Sequence, residues 1–87
     1  MTDDSGVRAV VEVLARALTD RPDDVRVTES QHKNTTLVAL YVAPGDLGKV
    51  IGKQGRTAAA LRTLASTAGE REGKTVTLEI RDTPYKG

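Results

Sequence analysis

Two glycines three residues apart, Gly52 and Gly55, enclose Lys53 and Gln54 in the run Lys49-Val50-Ile51-Gly52-Lys53-Gln54-Gly55-Arg56. These residue types suit the capture of an anion. Glycine tolerates a positive φ and, without a Cβ, lets another group come close to the main chain. A helix that begins after Gly55 turns its free N–H groups toward the turn, where donors and dipole together favour phosphate. Lys53 and Arg56 add charge where phosphates would lie, Lys49 flanks them, and Gln54 adds a neutral donor. Val50 and Ile51, at the mouth of the turn, offer apolar surface for bases. The two glycines together are expected to let a sugar-phosphate backbone approach.

Charge distribution points the same way. The 87-residue chain carries a net charge of only +1, yet Leu47 to Ala68 contains Lys49, Lys53, Arg56 and Arg62 and no acidic residue. That window holds +4 and leaves −3 for the remainder. A local basic patch on a near-neutral chain suits an anionic ligand better than a general polycation role.

Other chemistries find little support. There is no cysteine, which removes disulfides and thiolate–zinc sites, and the single histidine, His32, has no second metal ligand beside it. A phosphate-binding Walker loop needs four residues between its glycines and Ser or Thr after the lysine. Gly48 and Gly52 enclose three, and Gln54 follows Lys53. Asp23-Asp24 reads as turn chemistry and not as a catalytic carboxylate pair. The expectation is a non-enzyme with no cofactor and no metal. Tyr41 and Tyr85 are the only aromatics, so a base-stacking platform of several aromatics is not expected. No apolar run approaches the ~20 residues of a membrane span. The opening MTDDSG is acidic and polar, unlike a signal peptide. Both features lead us to expect a cytoplasmic location with no membrane partner.

The elements that must position this turn can be read from periodicity. At this length one domain can bury roughly 60–65% of its unfolded surface. Val7, Val10, Val11, Leu14, Ala17 and Leu18 share one helical face, so residues 6–19 are expected to be helical, with Asp4 or Ser5 as cap. Residues 25–31 predict a strand and 32–35 a turn. The apolar run 36–43 predicts a second strand buried on both faces, the two forming an antiparallel hairpin. Pro44-Gly45 stops that strand, and Asp46 is placed to cap a short helix over 47–51. Ala58, Leu61, Leu64, Ala65 and Ala68 define a helix over 57–68, with Gly69 and Gly73 bracketing a charged loop. Val76, Leu78 and Ile80 alternate with polar residues in a final strand, and 83–87 is expected to fray. The order α-β-β-α-α-β gives a two-layer α+β domain, three strands covered on one face by three helices. Two helices between the last strands allow a parallel relation between some of them.

Strand, short helix, GxxG, longer helix and strand in this order resemble the KH domain, and VIGKQGR is very close to that family's VIGxxGx signature. The core resemblance covers residues 36–82. An α-β extension over 6–31 is similar to the type II arrangement, so 1–87 is expected to be a single type II KH domain. VIGKQGRTAAALRTL in so short a chain resembles the small bacterial single-KH proteins of the KhpA family. The resemblance implies single-stranded RNA held in a groove. A KH GxxG loop clamps about four backbone nucleotides. Gly52, Lys53, Gln54 and Gly55 would hold the backbone, and Ile51, Val50 and one face of the 36–43 strand would form the floor. The hairpin around residues 31–35 would be the variable loop. It also implies self-association or pairing with a larger KH-containing partner of the KhpB or Jag type. Roles in RNA regulation, as a regulator or chaperone, and in cell shape are implied in the same way. The residues themselves leave two alternatives open: a KH-like module used mainly for dimerisation, and single-stranded DNA in place of RNA.

Overall fold

A computed structural model of the chain describes residues 6–82. Helix α1 spans Gly6–Leu18, strands β1 and β2 span Arg26–His32 and Thr35–Val42, helices α2 and α3 span Leu47–Ile51 and Arg56–Arg71, and β3 spans Thr75–Asp82. The order is the expected α-β-β-α-α-β. The capping residues proposed for α1 and the tail 83–87 lie outside the described residues.

Strand β2 is central. It pairs antiparallel with β1 across the two-residue tip Lys33-Asn34 and parallel with β3. A parallel pair cannot be closed by a hairpin and needs a long crossover; α2, the glycine turn and α3 supply it. Register fixes which side chains share a face. Val27 opposes Leu40, Val38 opposes Leu78, and Leu40 opposes Ile80. These residues face the helices, where Val7, Val11 and Ala15 of α1, Val50 of α2, and Leu61 and Ala65 of α3 complete an aliphatic core.

Three local expectations give way to tertiary packing. First, β2 is fully buried on one face only. Thr36, Val38, Leu40 and Val42 are shielded by helices, whereas Leu37 and Tyr41 are half-buried on the opposite face. The described helices form one layer on the other side of the sheet, and on this face only the small Ala39 is buried. Second, α3 continues past Ala68 to Arg71, and Gly69 is buried within it. A Cβ at Gly69 would lie 2.4 Å from Val76 Cγ2, so this glycine lets α3 press onto β3. The stop is Gly73, with φ of 70°. Its N–H donates to Glu70 O at 3.1 Å and that of Lys74 to Gly69 O at 2.8 Å, the paired bonds of a Schellman ending. Third, Asp46 makes no side-chain cap to α2. Its backbone is already near-helical, φ −101° and ψ −4°, because α2 follows directly on the 3₁₀ turn Pro44–Asp46. The buried carboxylate instead accepts a 2.9 Å hydrogen bond from the Arg21 N–H, tying the α1–β1 connection to the start of α2.

Candidate nucleic-acid interface

Helix α2 ends at Gly52, whose N–H still donates to Gly48 O at 2.8 Å. Gly52 has φ 78° and ψ 170°, a region open to glycine and closed to other residues. Gln54 follows at φ 58°, ψ 23° and Gly55 at φ 74°, ψ 14°. Two successive left-handed residues reverse the chain into α3. Inside the turn Gly55 N–H donates to Gly52 O at 3.1 Å, and Arg56 N–H donates to Lys53 O. The turn thus consumes the amides of Gly52, Gly55 and Arg56, and those of Lys53 and Gln54 are the ones its bonds leave over.

The glycines divide their labour. A Cβ on Gly52 would meet Thr57 Oγ1 at 2.2 Å, Thr57 Cβ at 2.6 Å and Thr57 N at 2.9 Å. The space that a Cβ would take at Gly52 is therefore filled from within by Thr57, so the missing side chain there serves the turn's own packing. Gly55 has nothing within 4 Å of its Cβ direction, so the open approach to the main chain lies there.

Side chains around the turn sort by exposure. Lys49, Lys53, Gln54 and Arg56 are exposed and Ile51 is half-buried. Val50 is 0% exposed and belongs to the core, so it offers no surface to a base, contrary to the expected floor. A helix of five residues that lies on the sheet must turn one side inward, and Val50 is on that side. Lys49 Nζ lies 3.5 Å from Asp20 Oδ2, while Lys53 makes no ion pair among the described residues. Arg56 Nη2 donates to Gln54 Oε1 at 2.8 Å.

Three contributors escaped the sequence reading. Thr57 carried one signal, a small polar residue just inside a helix that follows glycine. Asp46 was read only as a helix cap and Asp20 not at all, because their contacts join segments 25 or more residues apart. Among the described residues no group of three His, Cys, Asp or Glu side chains could hold a metal ion. No described helix is long and apolar enough to cross a membrane.

A turn of this kind, cationic and exposed, with two amides left over by its own bonds among the described residues at the front of a 16-residue helix, offers donors and positive charge to an anion. The family profile for the KhpA/KhpB KH domain matches residues 8–80. The chain is 50% identical over 76 residues to the RNA-binding protein KhpA of Aquifex aeolicus, covering 87% of this chain and 96% of that one. It is 47% identical over 76 residues to the RNA-binding protein KhpA of Halalkalibacterium halodurans, covering 87% and 100%. Among solved structures, Era in complex with MgGDPNP and nucleotides 1506–1542 of 16S ribosomal RNA superposes with a TM-score of 0.63 at 20% identity. That match covers 90% of this chain and 30% of Era, and at such identity it speaks to the fold alone.

Proposed function

The chain belongs to the KhpA/KhpB KH-domain family, and from that membership and the turn's geometry we propose that it binds single-stranded RNA without catalysis. The observation that carries the reading is the pair of unspent amides, Lys53 and Gln54, on an exposed left-handed turn between cations. Phosphate oxygens accept from those amides, and the Gly55 side of the turn gives them room. Lys53 supplies the nearest unpaired charge, with Lys49 and Arg56 beside it. Ile51 is the apolar residue of the floor nearest the turn, and Val50 supports it from the core. With about four nucleotides held and no aromatic stack, affinity should be micromolar or weaker, about −8 kcal/mol at most.

A role as post-transcriptional regulator or RNA chaperone in the cytoplasm belongs to the same proposal, as does a link to cell shape. So does association as a homodimer, or with a larger KH-containing partner of the KhpB or Jag type. Leu64, 46% exposed on α3, gives the protein-interaction reading an apolar surface of its own.

The test is the double substitution of Lys53→Asp and Gln54→Asp. Two carboxylates then face phosphate, and RNA binding should collapse while the melting temperature barely moves, because both positions are exposed. The unsubstituted protein should bind more weakly as salt rises, with a log–log slope of about −0.7 for each phosphate that a loop cation neutralises. Undiminished binding by the folded double variant would overturn the loop assignment, and a flat salt titration would favour the protein-interaction reading.

A further inference from the structure

Gln54 and Arg56 form a unit that the charge pattern alone does not reveal. Arg56 Nη2 is 2.8 Å from the Gln54 carboxamide oxygen, and both side chains are exposed. A guanidinium has five donors and no acceptor, so the carboxamide atom that faces it must be the oxygen. The amide nitrogen of Gln54 is then not the atom that meets Arg56, and its N–H pair belongs to an exposed side chain. A solvated glutamine would otherwise sample either orientation. The main chain of Gln54 is held as well, in the left-handed region at φ 58°.

We infer that Arg56 is a positioning residue, which fixes the Gln54 carboxamide with its N–H donors toward the phosphate oxygens of a bound strand. Arg56 does this in place of occupying a phosphate position itself. The inference rests on the RNA-binding reading of the loop and deepens it in chemical terms. Arg56 takes one lone pair of the carboxamide oxygen, and the N–H pair remains to be donated. Phosphate oxygens are acceptor-only and match that pair. On this assignment Gln54 serves the backbone, so its contribution should not depend on base identity.

The experiment measures binding of short oligouridylate and oligoadenylate RNAs to Lys53→Ala, Gln54→Ala, Arg56→Ala and the 54/56 double variant over a range of salt. Gln54→Met, which keeps length but not the amide, guards against a packing effect, and thermal melts confirm that each variant folds. Gln54→Ala, Gln54→Met and Arg56→Ala should each weaken binding roughly threefold to tenfold, the worth of one hydrogen bond, equally for both RNAs. The double variant should be no weaker than Gln54→Ala alone. Arg56→Ala should leave the salt slope unchanged, whereas Lys53→Ala should flatten it by about 0.7. Additive losses at 54 and 56, or a slope flattened by about 0.7 in Arg56→Ala, would overturn the inference while the loop reading stands. Unchanged binding and slope in Lys53→Ala would instead overturn the loop reading, and this inference with it.

Discussion

Gly52 and Gly55 look interchangeable in GKQG, yet the turn uses them differently. Alanine at 52 meets left-handed strain and a collision with Thr57 Oγ1 at 2.2 Å. Strain of about 1–3 kcal/mol at φ 78°, ψ 170° and overpacking of about 1–3 kcal/mol should together cost about 2–6 kcal/mol in urea denaturation. Alanine at 55 meets the strain alone, since its Cβ enters open space, so Gly55→Ala should stay folded with a loss of about 1–2 kcal/mol. It should still bind RNA poorly, because the new methyl stands where the strand would approach. Equal stability losses at the two positions would contradict this division. Gln54 is the third left-handed residue and the one without glycine's freedom. The residue types, spacing and charge of this turn were legible because they act locally. Thr57's part was not, since only the folded turn shows whose side chain fills the gap at Gly52.

At the scale of elements, α3 shows where periodicity misleads. A glycine inside a helix costs about 1 kcal/mol relative to alanine, so Gly69 reads as a stop. In the fold it is a contact point. Gly69 sits against Val76 of β3 and permits an approach that any Cβ would block. Gly69→Ala should raise helix propensity and nonetheless destabilise the protein by about 1–3 kcal/mol. Val76→Ala should cost less in the Gly69→Ala background than in the natural sequence, because it removes the colliding Cγ2. Additivity of the two substitutions in chemical denaturation would count against this close contact. The same distinction explains β2. Its apolar run identified a strand, but an uninterrupted run cannot tell which face the helices cover. Leu37 and Tyr41 ended on the open side.

At the scale of the whole molecule, element order was legible and long-range fastening was not. Three contacts illustrate it: Asp46 to the Arg21 N–H, Asp20 to Lys49, and Lys74 between Glu29 and Glu72. Each joins segments brought together only by the sheet topology, or depends on that topology for its geometry. Lys74 Nζ lies 3.3 Å from Glu72 and 3.4 Å from Glu29, linking the α3–β3 connection to β1. Hydrogen bonding to Glu72 raises its pKa above the ordinary 10.5; desolvation opposes this, and hydrogen bonding to Glu29 and the charges of both carboxylates add to the rise. A raised folded-state pKa contributes stability that is fully present below the unfolded value. That contribution is lost as pH climbs through the raised one. Melting temperature should therefore decline above pH 10.5 more steeply in the natural protein than in Lys74→Met. Parallel declines would show that Lys74 fastens nothing.

The central claim is that RNA backbone meets the main chain at the Lys53–Gly55 turn. The most direct measurement is a titration of ¹⁵N-labelled protein with short oligouridylate RNA, followed by amide resonances. The account predicts the largest shifts at Lys53, Gln54, Gly55 and Arg56, with smaller ones at Ile51 and little change at Thr28, Leu37 and Thr77 on the open sheet face. Shifts concentrated on that face, with the turn amides unmoved at saturation, would contradict it.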